Sequence, residues 1–188
     1  MSEYKLRLVT DSDTIDQIFR FRAKVWTGIN GVAADAFPSG RWQDQHDANA
    51  HHWIVTNSEN RIVGSARLNL HEQIEDVVEA EQYQRYSVQC DGLIAAPDRV
   101  VVCASARRQG IAQRLLDAQH DASVRAGVSC ALRQASPSMC RLISKRDWQL
   151  LGPATIDPRF PETAFTVAVR VYLPAQVRFQ ACSDKAVA

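Results

Sequence analysis

Arg107-Arg108-Gln109-Gly110-Ile111-Ala112 follows the β-branched run Val100-Val101-Val102 and leads directly into an amphipathic stretch. That order reads as strand, tight loop, helix. Within the helix Ile111, Leu115, Ala118 and Ala122 share one face, while Gln113, Arg114, Asp117 and Asp121 point elsewhere. The first turn of such a helix leaves backbone N–H groups without an acceptor inside the helix, and the aligned peptide dipoles add positive potential there. With the guanidinium groups of Arg107 and Arg108 alongside, these donors make a site suited to a phosphate or pyrophosphate. Gly110 has no side chain, so a ligand can approach the backbone closely. Other phosphate loops fit less well: Gly110 is the only glycine near the turn, and no Gly-Lys-Ser/Thr run is present.

A chain of 188 residues has the length of one typical domain and can bury a substantial core, so a single domain over 1–188 is expected, with a core of about 4–173 and a tail of 174–188. The formal net charge of +1 gives no reason to expect nucleic acid or an anionic membrane as a partner. Met1 to Val9 lacks the apolar core of a signal peptide, and no apolar run is long enough to span a bilayer, which leads to the expectation of a cytoplasmic protein. Cys90, Cys103, Cys130, Cys140 and Cys182 are odd in number, widely spaced and without a Cys-x-x-Cys pair. They indicate neither a disulfide framework nor a metal site, and reduced core cysteines are expected.

Helix and strand signals alternate along the chain. Tyr4 to Val9 reads as a strand, and Asp11 or Asp13 can cap the next helix, whose apolar face is Ile15, Ile18, Phe19, Val25 and Trp26. Residues 27–50 carry Gly28, Gly31, Pro38 and Gly40 without a sustained period and read as a long irregular segment with one short helix. His52 to Thr56 and Ile62 to Leu70 form an antiparallel pair around the turn Asn57-Ser58-Glu59-Asn60. Glu72 to Tyr86 reads as an acidic helix, followed by a loop through Asp91-Gly92 and Pro97 to the valine strand. After the phosphate-loop helix come a strand at Val128 to Arg133, a short helix at Pro137 to Arg146 and an alternating strand at Phe165 to Leu173.

Arg107, Gly110 and Ala112, placed between a valine strand and a helix, resemble the acyl-CoA loop of the GNAT acyltransferase superfamily, and the resemblance extends over most of residues 4–173. It implies a mixed α+β fold with a mostly antiparallel central sheet flanked by helices. It implies acetyl-CoA or another acyl-CoA as co-substrate, with the pyrophosphate on Arg107, Arg108, Gln109, Gly110, Ile111 and Ala112. The pantetheine arm would lie along Val101, Val102 and Cys103, where backbone groups would hold its amides and polarise the acyl carbonyl. Many members place a tyrosine acid a few residues before a Gly-Phe pair. Here Ile143 stands near that position and Asp147-Trp148 replaces Gly-Phe, which leaves Ser144 or a water as the acid, or a protein that does not run the usual reaction.

A second constellation lies in the N-terminal half. Arg22 sits on the apolar face of the first helix and needs a carboxylate partner, with Asp44 and Asp47 in view, because an unpaired buried guanidinium costs on the order of 3 to 5 kcal/mol. Arg67 raises the same question, on the strand face of Val63, Ser65 and Asn69 turned toward the groove. Arg22 with Trp26, Asp44-x-x-Asp47, Arg67 and Arg99 resemble the sparse motif set of acyl-homoserine-lactone synthases, except that Ala96 stands where those enzymes carry an acidic residue three before the last arginine. Two roles stay open for these charges: pinning the long segment to the sheet, or acting directly in the site. Arg22, Trp26, Arg67 and Arg99 are candidate substrate-binding residues. Asp44, His46, Asp47, His71 and Glu72 are candidate bases, with Asp44 and Asp47 foremost as catalytic residues.

The expected activity is an acyl-CoA-dependent N-acyltransferase, most simply moving acetyl to the primary amine of a small molecule. The alternatives are an N-acyl amino acid or signal synthase using a longer acyl thioester, and a CoA-binding regulatory module without turnover. No metal is expected, and homodimerisation stays open.

Overall fold

The structure, a computed structural model, describes residues 4–29, 32–33 and 35–180. Its principal elements are strands β1 (Lys5–Val9), β2 (His51–Thr56), β3 (Ile62–His71), β4 (Gln89–Cys90), β5 (Ile94–Val102), β6 (Cys130–Ala135), β7 (Trp148–Pro153), β8 (Thr166–Val171) and β9 (Val177–Arg178). The α-helices are α1 (Ser12–Thr27), α2 (Ala80–Gln84), α3 (Ile111–Ala126) and α4 (Pro137–Ile143). Seven strands form one sheet in the order β1-β2-β3-β5-β6-β8-β7, and β4 pairs with β9 in a second. The β1–β2, β2–β3, β6–β8 and β7–β8 registers are antiparallel, and β5–β6 is parallel.

The chain divides into two compact units. The first comprises Met1–Asn69, Pro97–Ala122 and Asp157–Glu162. It holds the α1 core of Val9, Ile18 and Ile54, with Ile15, Phe19 and Ile62 packed against it. Asp11 rather than Asp13 caps α1, its carboxylate accepting from the Thr14 amide at 2.8 Å. The hairpin turn is organised by Asn57, whose Oδ1 accepts from the amides of Glu59 and Arg61. Helix α3 lies close on β3 at Gly64, where a Cβ would come within 2.7 Å of Ile111 Cγ2 and 3.3 Å of Leu115 Cδ1. The absent side chain lets α3 approach the strand this closely.

The second unit comprises Leu70–Ala96, Ser123–Ile156 and Thr163–Ala188. Its core includes Val77, Tyr83, Tyr86, Ile94, Cys130, Leu132, Leu151, Val167 and Val169. The acidic helix expected over Glu72 to Tyr86 is broken into a 3-10 turn at Ile74–Asp76 and the five-residue α2. Extended backbone at Val77 and the left-handed conformation of Glu79, with φ 57°, separate the pieces. Strand β7 and the β4–β9 pair were not anticipated. β7 is largely exposed and contains Gly152, so it lacks the alternation that marked β8.

Pro97 also departs from expectation, since it lies inside β5 rather than in a loop leading to it. The parallel register of β5 with β6 covers Ile94 opposite Cys130 and Ala95 opposite Ala131. Proline offers no N–H, so β5 carries it just beyond that ladder.

Candidate active site

Beyond β5 the chain makes a 3-10 turn at Ala104–Ala106 and then the cationic loop. Arg108 and Gly110 both take left-handed conformations, with φ 63° and 74°. The Gly110 carbonyl accepts from the Arg114 amide at 3.1 Å, which closes the first helical turn and leaves the preceding amides of that turn without an acceptor inside the helix. Arg107, Arg108 and Gln109 are exposed. A Cβ at Gly110 would meet only Gln113 Oε1, at 3.6 Å, so the backbone is open to close approach. The donor set and the open backbone fit the pyrophosphate of an acyl-CoA.

Val101 is buried, and Val102 and Cys103 are half-buried. The Cys103 amide is engaged by Val63 O at 3.0 Å. That N–H is already paired with β3 and is not a free donor for a pantetheine amide. A cavity of about 580 Å³ adjoins this end of β5, with Phe21, Val25 and Ile62 on its apolar wall and Cys103, Ala104 and Arg107 on the loop side.

The second constellation is a buried ion network within the first unit. Arg67, fully buried, binds Asp98 through two parallel hydrogen bonds, Nε to Oδ1 at 2.8 Å and Nη2 to Oδ2 at 2.6 Å. The same guanidinium reaches Asp44 Oδ1 at 2.6 Å and Asp47 Oδ1 at 3.1 Å. Arg99 pairs with Asp44 through a short contact. Arg22, equally buried, binds Asp47 Oδ1 at 2.9 Å and His52 Nδ1 at 3.1 Å. Arginine only donates, so His52 Nδ1 accepts and Nε2 carries the proton that it donates to the Asp47 carbonyl at 3.0 Å. Three arginines thus face three aspartates around a neutral histidine, and the burial of charge is balanced.

Of the two partners proposed for Arg22, Asp47 takes the role and Asp44 does not. Arg67 points into this network and away from any solvent groove. Asp98, two positions after Ala96, is the carboxylate that β5 contributes to the network. In a regular strand Asp98 and Arg99 would face opposite sides, but Arg99 has φ 53°, and this left-handed residue lets both side chains join one cluster. His52 was not singled out in the sequence, although its signal was present: it lies opposite Arg67 in the β2–β3 register.

Burial pushes the Arg22 guanidinium down to about 10 against the pull of Asp47. Burial would raise the Asp44 carboxyl, but hydrogen bonds from Arg67 and the charges of Arg99 and Arg67 overcome it and hold the pKa at about 2. Asp98 is likewise held low, its burial outweighed by Arg67. His52 is held below the ordinary imidazole value by burial and by the cations Arg22 and Arg67.

A carboxylate depressed from 3.8 to about 2 stabilises the fold fully above the unfolded value and loses that contribution as pH falls through the folded one. For Asp44 the loss is about 2 kcal/mol. Urea midpoints measured between about pH 5 and about pH 2 are expected to fall across this window in the wild type and to fall less in Asp44→Asn. An equal fall in both proteins would contradict the assignment.

Trp26 does not touch the ion network directly. It packs on Phe160 at 4.6 Å and edge-on against Trp42 at 5.4 Å, and Trp42 in turn lies beneath the Arg99 guanidinium at 4.2 Å. Arg99 Nη1 and Trp42 Nε1 are buried donors with no partner among the described residues. Two such donors side by side suit a ligand that brings acceptor oxygens. Of the other base candidates, His46 is half-buried on the same turn as Asp44, and its amide donates to Asp44 Oδ1 at 3.0 Å. His71 and Glu72 belong to the second unit.

Ile143, near the place of the expected tyrosine acid, is fully buried, while Ser144 is exposed with its Oγ on Arg141 O at 3.4 Å. Asp147, standing where Gly-Phe was expected, adopts φ 57°, a conformation aspartate tolerates better than most residues.

Residues 16–143 match the acetyltransferase (GNAT) family. The chain belongs to that family. No curated protein sequence matches it significantly. Among solved structures, the CoA-dependent acyl-homoserine lactone synthase BjaI, bound to SAM and isopentyl-CoA, is similar at TM-score 0.67 and 15% identity, over 89% of this chain and 82% of that one. FeeM, an N-acyl amino acid synthase from uncultured soil microbes, aligns at TM-score 0.66 and 12% identity over 93% of both chains. A GNAT acetyltransferase from Staphylococcus aureus Mu50 aligns at TM-score 0.59 and 13% identity, over 89% of this chain and 99% of that one. At these identities the likeness is one of fold. The GNAT member described here has the expected mixed architecture, with its mainly antiparallel seven-stranded sheet.

Proposed function

We propose that this GNAT protein is an acyl-CoA-dependent N-acyltransferase that moves an acyl group, most simply acetyl, to the primary amine of a small molecule. The observation that carries the reading is the loop at the start of α3: two exposed guanidinium groups, left-handed Arg108 and Gly110, and first-turn amides with no acceptor inside the helix make a donor set suited to an anion. The bound acyl-CoA supplies an activated thioester carbonyl to an amine nucleophile. Arg107 and Arg108 hold the pyrophosphate, and the backbone at Gly110 admits it closely.

Arg99 Nη1 and Trp42 Nε1 hold acceptor oxygens of the amine substrate. Asp44 and Asp47 serve this arrangement as positioning residues for Arg67, Arg99 and Arg22. A carboxylate held at about 2 is a weak base for an ammonium group, so a catalytic role for Asp44 gives way to one in which His46, on the same turn, takes the proton.

A longer acyl group is the second reading, favoured by the cavity of about 580 Å³ with Phe21, Val25 and Ile62 on its wall. On this reading the protein acts as a signal or N-acyl amino acid synthase. Release of free CoA thiol across a panel of primary amines and acyl lengths separates these readings. Amine-dependent release with an amide product by mass spectrometry is expected, and the acyl length that gives the highest kcat/KM decides between acetyl and a longer chain. Tight CoA binding with no amine-dependent release would overturn transfer and leave a binding module.

A further inference from the structure

The second unit holds two thiols in contact. Cys130 Sγ lies 3.0 Å from Cys90 Sγ. Cys130 begins β6 and is fully buried, whereas Cys90 ends β4 and is half-buried. The backbone on either side holds them together: Ser129 Oγ donates to Asp91 O at 2.9 Å, and the Ser129 amide donates to Leu93 O at 2.7 Å. A cavity of about 590 Å³ reaches Cys90, with Ser87, Gln89, Asp91, Gln176 and Arg178 around it. An oxidant of the size of hydrogen peroxide can therefore meet one sulfur while the other waits behind it.

We propose that Cys90 and Cys130 form a redox pair that hydrogen peroxide closes to a disulfide, covalently joining β4 to β6. The Cys90 thiolate attacks one peroxide oxygen, the O–O bond breaks, and Cys90 becomes a sulfenic acid with release of hydroxide. The Cys130 sulfur then attacks Cys90 Sγ. The S–S bond forms, the S–O bond breaks, and the departing hydroxide takes the Cys130 proton as water. The proton first lost by Cys90 neutralises the hydroxide of the first step. Two thiols lose two electrons in total, and one peroxide is reduced to two waters.

The order of attack follows from the contact itself. Cys130 donates its S–H to Cys90, which lowers the Cys90 pKa even though burial and the neighbouring Asp91 oppose it, while Cys130 is pushed up by the same contact and by burial. Cys90 is thereby the nucleophile and Cys130 the resolving thiol.

Brief peroxide treatment of the full chain, alkylation and intact mass measurement test this directly. A loss of about 2 Da, one Cys90–Cys130 peptide in a non-reducing digest, and a melting temperature raised until dithiothreitol is added are expected. Cys90→Ser, at a half-buried position that does not endanger folding, should abolish the mass loss. Cys130→Ala should leave Cys90 to accumulate as sulfenic and sulfinic acid. Recovery of Cys90 as an alkylated thiol or sulfinic acid in the wild type, or an unchanged mass loss in Cys90→Ser, would overturn the proposal.

Discussion

Arg67→Ala is expected to destabilise the protein by about 3 to 5 kcal/mol, a large part of a typical domain's total stability. The reason lies in what the substitution leaves behind. Among the described residues Arg67 is the one cation shared by Asp44, Asp47 and Asp98, and its removal leaves these three carboxylates facing Arg22 and Arg99. Asp98 loses both of its hydrogen bonds from the Arg67 guanidinium. Asp44 and Asp47 keep close pairs with Arg99 and Arg22 respectively, whereas Asp98 keeps only Arg99 Nε at 3.9 Å, so the largest share of the cost falls on Asp98. Arg67→Lys retains the charge but cannot reproduce the planar fork, and an intermediate loss is expected. Urea denaturation of the two variants checks the order. A loss below about 1 kcal/mol in Arg67→Ala would mean that the carboxylates relax into water and that the network does not hold the fold.

Gly110→Glu is expected to weaken acyl-CoA binding by at least about 100-fold and to erase the rise in melting temperature that the ligand produces. Two effects combine. Any residue with a Cβ is strained at φ 74°, at a cost of about 1 to 2 kcal/mol, although the space around that Cβ is open. The new carboxylate also lies at the positive end of α3, where it occupies the first-turn amides and repels a pyrophosphate. Gly110→Ala carries the strain without the charge and separates the two terms. A smaller weakening is expected for it. If Gly110→Glu bound acetyl-CoA as the wild type does, the anion site would not be at the start of α3.

Much of the first unit was legible because its signals are local. The valine run, the Arg-Arg-Gln-Gly loop and the helix period set β5, the turn after it and α3. Asn57 to Asn60 set the β2–β3 hairpin. The ion network was half legible: Arg22 on an apolar helix face demanded a partner, and Asp47 proved to be it. Asp98 escaped because alternation excludes it from the face that holds Arg99. Only the left-handed backbone at Arg99 admits both, and nothing in an arginine codon-by-codon reading announces a positive φ. Pro97 hid the first half of β5 for a related reason, since a proline signals the end of a ladder without saying that the strand continues. In the second unit β7 was missed because a mostly exposed strand has no buried alternation to show. The Cys90–Cys130 contact was invisible for another reason: pairing between residues 40 apart depends on how β4 and β6 are tied, and no spacing rule encodes that.

The central claim is that the loop before α3 holds the pyrophosphate of CoA. Calorimetric titration of the wild-type protein with CoA and, separately, with pantetheine, which lacks the pyrophosphate, tests it most directly. CoA is expected to bind at least about 100-fold more tightly than pantetheine, and dephospho-CoA, which keeps the pyrophosphate without the 3′-phosphate, nearly as tightly as CoA, the shared gain reflecting charge-assisted hydrogen bonds from Arg107, Arg108 and the first-turn amides. Equal affinity for CoA and pantetheine, or no binding of CoA, would contradict the account.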